Sequence, residues 1–154
     1  MDPEPMDGDL SDVAKALIER ACTRLILESA AANDRQDFEA FAALFTKDGV
    51  LHRPAGEPLR GPRAIAESYS SRPASRITRH LCTNILIDVD SATTARGSTY
   101  VILYSADASG ASDKKFGLTS ETRKLLGEFE DRFVLTDAGW RIVERRARFV
   151  MHTT

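Results

Sequence analysis

At 154 residues, with 42% hydrophobic and 29% charged side chains, the chain has the make-up of one globular domain, able to bury about two-thirds of its unfolded surface in a single core. A formal net charge of −2 leaves no basic excess to neutralise phosphates, which argues against nucleic acid as a partner. No apolar run approaches the roughly 20 residues of a membrane-spanning helix, and the acidic stretch 1–9 lacks the basic and apolar regions of a signal peptide, so the expected location is cytoplasmic.

Residues 1–9 read as a disordered tail, 10–150 as one domain and 151–154 as a second tail. Asp9 or Ser11 can cap a first helix, on which Val13, Leu17, Ile18, Ala21, Cys22 and Leu25 recur at helical spacing. Continuing that stripe by four places Ser29 on the buried face, in a run of small residues ending at Asn33, which can terminate the helix. The small side chains either let a ligand approach the backbone or simply permit close packing. A second helix opens at Asp37 as N-cap and sets Phe38, Phe41, Ala42 and Phe45 on one face, a pattern that suits a core and a cavity wall equally. Lys47, Asp48 and Gly49 read as a turn, Val50–Arg53 as a short strand stopped by Pro54, and 55–60 as loop. Gly61 and Pro62 start a third helix reaching about Ser70.

After Pro73 the period changes from helical to alternating. Thr78–Val89 reads as a strand with His80, Cys82, Asn84 and Leu86 on one face and Leu81, Thr83, Ile85 and Ile87 on the other. Further strands follow at about 94–104, 123–135 and 140–150, with a surface loop at 106–114 and a hairpin turn at Thr136–Gly139. Four long strands in succession predict an antiparallel meander, which must curve. The order gives an α+β fold: a curved antiparallel sheet wrapped around three N-terminal helices, shaped like a cone open at one end. Apolar residues on both faces of the His80 strand predict a homodimer formed through the outer face of the sheet.

Cys22 and Cys82 sit sixty positions apart in apolar patterns and read as reduced thiols, with no disulfide framework. No paired His or Cys spacing supports a metal, and no glycine-rich phosphate loop or nucleophile elbow is present, so no cofactor is expected. Arg141, Arg145, Arg146 and Arg148 would split between two faces of a strand, as a solvated or interfacial stripe does. His152 lies in the tail and His52 reads as a surface residue. His80 differs, because its strand face is part apolar and carries no other charge. Asp34 lies at a helix C-terminus, whose partial negative charge raises a carboxyl pKa, as burial does, while a protonated imidazole lowers it. Together Asp34 and His80 would titrate as one unit and could move a proton at carbon beside a carbonyl, or donate one to a leaving hydroxyl. From spacing alone, Asp34 could equally pair with Arg35 or Arg79.

The segments Asp34–Phe38 and Ala43–Val50 resemble the opening of SnoaL-like proteins in the nuclear transport factor 2-like superfamily. The similarity continues through Gly61–Ile65, Thr78–Asn84, Gly127–Phe133 and Gly139–Arg145, covering roughly 10 to 150. It resembles most the branch of scytalone dehydratase and bile-acid 7α-dehydratase. That resemblance implies cofactor-free elimination of water by an Asp–His pair, with Asp34 and His80 on the family's aspartate and histidine. Those dehydratases tend to carry a tyrosine five residues before the aspartate, and here Ser29 occupies the position. The resemblance then implies either a hydroxyl supplied by Tyr69, Tyr100 or Tyr104, or a different reaction.

The expected function is a cofactor-free lyase (dehydratase) or isomerase or cyclase, acting on an apolar cyclic carbonyl compound. Asp34 and His80 are the candidate catalytic pair. Ser29, Phe38, Phe45, Tyr69, Phe129, Phe133 and Arg145 are candidate substrate contacts, with Phe41 a further wall. Arg145 and Asp131 would reverse faces with a one-residue bulge. The expected partners are a small apolar or aromatic ligand and a second copy of the chain. The competing reading is a non-catalytic ligand-binding protein, or a structural subunit such as the β subunit of a ring-hydroxylating dioxygenase.

Overall fold

Ser11 begins the first helix by accepting the Ala14 N–H on its hydroxyl at 3.1 Å, and the helix, α1, runs Asp12–Asp34. A computed structural model describes residues 10–154, so the tail expected at 1–9 lies outside the described residues. Ile18, Cys22, Leu25, Ile26 and Ser29 form the buried face of α1. Val13 and Leu17, assigned to the same stripe, are 71% and 61% exposed, because at 100° per residue they fall away from the face that carries Ile18, Cys22, Leu25 and Ser29. Asn33 does not end the helix. Gln36 does, in the left-handed region at φ 60°, with its N–H bonded to the Asn33 carbonyl and the Asp37 N–H to the Ala32 carbonyl. This is the Schellman arrangement, with glutamine where glycine is usual. The Gln36 side chain holds it there by donating to the carbonyls of Ala74 and Arg76, at 3.0 and 2.8 Å.

Asp37 caps α2, Phe38–Ala43, through the Ala40 N–H. The helix is shorter than its apolar pattern, and Phe45 belongs to the next element, β1 (Phe45–His52). Phe45 is still buried, edge-on to Phe41 with ring centres 5.7 Å apart, so the helical spacing found a core residue by the wrong element. The predicted turn at 47–49 is an irregularity inside β1. There a Cβ on Gly49 would stand 2.9 Å from the Thr46 carbonyl oxygen and 3.1 Å from that of Ile142. A two-residue strand, β2 (Leu59–Arg60), pairs with β1 in the stretch read as loop, and α3 follows at Gly61–Ser70.

The long strands are β3 (Arg76–Val89), β4 (Thr94–Asp107), β7 (Leu125–Thr136) and β8 (Gly139–His152). Between β4 and β7 a small hairpin, β5 (Ser112–Asp113) with β6 (Gly117–Leu118), lies partly in the predicted loop. The main sheet is unclosed, in the order β2-β1-β8-β7-β4-β3. The long strands form the expected antiparallel meander, and β1 adds to it in parallel with β8. Because β8 runs to His152, the strand takes in half of the predicted C-terminal tail. The three helices and the curved, unclosed sheet give the expected α+β fold.

Three bulges decide which side chains face the helices. In β3 the register shifts between Thr83 and Leu86, with Asn84 at φ 50°. His80 and Cys82 face inward before the shift, and Ile85, Ile87 and Val89 after it. Leu86, assigned to the His80 face, is therefore turned out and is 69% exposed. In β8 the shifts leave Val143 and Val150 without a partner on β7, so Ile142 and Arg145 both point into the core.

Candidate functional site

The helix end at Asp34 meets β3 through a set of directed bonds. The Asp34 Oδ1 accepts from the Thr78 hydroxyl at 2.9 Å and lies 2.5 Å from His80 Nδ1. Its Oδ2 accepts the His80 backbone N–H at 2.9 Å. Both side chains are 13% exposed. A carboxylate can only accept, so the proton of the pair lies on Nδ1, and Nε2 is left for chemistry. Nε2 has no hydrogen-bond partner among the described residues, and the ring lines a cavity of about 290 Å³. Burial pushes the Asp34 carboxyl up. The bonds from the His80 ring and backbone, the His80 charge and the Thr78 hydroxyl outweigh it, holding the carboxyl below the usual value of 3.8. Arg79 does not compete, since its guanidinium donates to the Thr78 carbonyl.

A second buried cluster forms the floor of the cavity. Arg145 donates from Nε and Nη2 to the two carboxylate oxygens of Asp131, at 2.7 and 2.8 Å, and from Nη1 to Ser29 Oγ at 2.7 Å. The Ser29 hydroxyl in turn donates a hydrogen bond to the Ile26 carbonyl. The guanidinium carbon lies 4.2 Å from the centre of the Phe129 ring, which fixes its plane. The small residues at the end of α1 thus bring a hydroxyl against an arginine from β8, 116 positions away in sequence.

Ser29, Tyr69, His80, Phe129 and Arg145 all line the cavity, with Asp34 behind His80. Phe38, Phe45 and Phe133 do not. Phe45 and Phe133 are buried core, and Phe38 backs the Tyr69 ring with centres 5.9 Å apart. Aromatic spacing reports apolar surroundings and cannot separate a core from a cavity wall. Of the three tyrosines, Tyr69 reaches the cavity, while Tyr100 and Tyr104 are exposed and outside its lining. The lining also includes Arg53, Arg72 and Arg76, which the sequence reading missed. Arg76 and Thr78 share the His80 face by simple alternation and could have been found; Arg53 and Arg72 come from connections with no periodic signal. Among the described residues, no group of three or more His, Cys, Asp or Glu is placed to hold a metal ion.

A family model described as a SnoaL-like domain matches residues 14–146. The chain belongs to that family. No curated protein matches it in sequence. Among solved structures, one similar to this SnoaL-like chain is a Mycobacterium tuberculosis protein of unknown function, at 28% identity and TM-score 0.74, covering 93% of this chain and 78% of that one. A candidate scytalone dehydratase from Novosphingobium aromaticivorans superposes with TM-score 0.76 at 22% identity, covering 93% and 91%. A hexachlorocyclohexane dehydrochlorinase from Novosphingobium barchaimii does so with TM-score 0.76 at 15% identity, covering 93% of each. At these identities the last two show a shared fold.

Proposed function

We propose that this SnoaL-like chain is a cofactor-free acid–base catalyst, a lyase or isomerase acting on an apolar cyclic carbonyl compound. The observation that carries the reading is the His80 ring, tied through Nδ1 to Asp34 and lining an open, largely apolar cavity, with its other nitrogen unpaired among the described residues. His80 Nε2 removes a proton from carbon beside the carbonyl, and Asp34 holds the ring in one tautomer and stabilises the imidazolium. In an elimination the C–H electrons become the new C=C bond as the neighbouring C–O bond breaks. The imidazolium then returns its proton to the leaving hydroxide, which departs as water. In an isomerisation the same proton returns to another carbon. Tyr69 and Arg145 supply donors for the carbonyl oxygen as charge develops there. Two structures of this fold are named for eliminations, which shows what the fold can house; the assignment here rests on this chain's own residues.

A non-catalytic binder has no need of a buried carboxylate oriented on an imidazole at the cavity, so the acid–base reading is preferred. The remaining parts of the proposal are coarser. Residues 10–150 act as one domain, and two free thiols suit the reducing cytoplasm. Leu81, Leu86 and Tyr100, exposed on the outer sheet face, would form a homodimer contact; sedimentation showing only monomer at micromolar concentration would remove it. The activity test is deuterium uptake and water loss in a panel of apolar bicyclic ketones and β-hydroxyketones, followed by mass spectrometry. Asp34→Asn and His80→Ala should each lower the rate by about 10²–10⁴-fold. Full activity in both variants would sink the assignment.

A further inference from the structure

We propose that the cavity takes an anionic ligand, an apolar ring body bearing a carboxylate that is held by Arg53, Arg72 and Arg76. This deepens the acid–base reading above and rests on it for the identity of the site.

The chain as a whole carries a formal charge of −2, yet among the described residues the cavity is lined by five arginines and by no aspartate or glutamate. Two of the five are neutralised, Arg145 by Asp131 and Arg148 by Glu128. Arg53, Arg72 and Arg76 have no carboxylate partner among the described residues. They come from three separate segments: the exit of β1, the turn after α3 and the first residue of β3. A solvated surface normally mixes charges of both signs, so convergence of one sign on one cavity calls for a counter-charge that the described residues do not supply.

Arg53 and Arg72 are held through their side chains, and Arg76 through its backbone. Arg53 donates from Nη1 to the Ser68 hydroxyl at 3.0 Å, while its Nε is buried with no acceptor among the described residues. A buried donor without an acceptor is costly, and a ligand oxygen would satisfy it. The Arg72 guanidinium carbon lies over the Tyr69 ring, 3.9 Å from its centre. The carbonyl of Arg76 is bonded by Gln36, which pins the start of β3. Arg72 and Arg76 are exposed, whereas Val101, Leu103 and Phe129 supply apolar wall. Guanidinium groups match the two oxygens of a carboxylate or similar oxyanion. The geometry therefore places the apolar body against the wall, within reach of His80, and the anion toward the three arginines.

The test is a fluorescence titration of the full chain with two probes of the same ring skeleton, 8-anilinonaphthalene-1-sulfonate and neutral N-phenyl-1-naphthylamine, at low and high sodium chloride. The sulfonate should bind at least about tenfold more tightly, equivalent to about 1.4 kcal/mol, and lose most of that advantage at high salt. Arg72→Gln with Arg76→Gln, and Arg53→Gln added to both, should bring the ratio toward one while the neutral probe keeps its affinity. A ratio near one in the parent chain, no binding of either probe, or an unchanged ratio in the triple variant would overturn the proposal. If Arg53→Gln does not fold, the exposed pair and the salt dependence still decide. A chain that prefers the anion but turns over no ketone keeps this inference and loses the acid–base reading. One that turns over neutral ketones with a ratio near one does the reverse.

Discussion

Replacing Asp131 with alanine strands a guanidinium in the interior. The side chains of Arg145 and Asp131 are 3% and 1% exposed, and Asp131 accepts two of the three hydrogen bonds that Arg145 makes to side chains. Removing one partner of a buried pair costs about 3–5 kcal/mol, because the remaining charge is left in low dielectric. Against a total stability of about 5–15 kcal/mol that is a large fraction. At about 2–4 °C per kcal/mol for a chain of this size, it lowers Tm by about 6–20 °C. Replacing both partners with apolar residues, Asp131→Leu with Arg145→Met, removes the stranded charge and should restore most of the loss. Urea unfolding followed through Trp140, the sole tryptophan, and by far-ultraviolet circular dichroism reads both variants. A loss below about 1 kcal/mol for Asp131→Ala, or a double variant no more stable than the single one, would refute the reasoning.

Two further stability outcomes follow from the geometry. Asp34 has a depressed carboxyl pKa in the folded chain, so its bonds contribute stability above the ordinary value of 3.8, and that contribution fades as pH falls through the lower folded value. The stability difference between the parent chain and Asp34→Asn should therefore be full above about pH 4 and shrink on further acidification; a difference that grows toward acid contradicts the sign. Gly49→Ala drives a Cβ into the carbonyl oxygens of Thr46 and Ile142, backbone atoms that cannot rotate away, and should cost about 1–3 kcal/mol in urea unfolding. A neutral result there would mean that the irregular part of β1 is loose.

Much of the architecture is legible in the sequence because it rests on local chemistry. Ser11 and Asp37 cap helices where their side chains can reach the third N–H onward, and Pro62 suits the first turn of α3. Alternation over 76–82 puts Thr78 and His80 on one face, and the order of motifs identifies the fold family and brings Asp34 and His80 under suspicion together. Their hydrogen bond joins residues 46 positions apart and is a product of folding.

What only the tertiary structure decides is where the period fails. Asn84, Val143 and Val150 each shift a strand by one residue, and a single shift exchanges the two faces of everything beyond it. That is why Leu86 faces out and why Arg145 turns inward to meet Asp131 and Ser29. Phe45 and Phe133 pack the core while Phe129 lines the cavity, a distinction set by the space left between elements and invisible to hydrophobicity. The unpaired arginines show the same limit. Composition alone gives an acidic chain, and only the convergence of three separate segments makes its cavity positive.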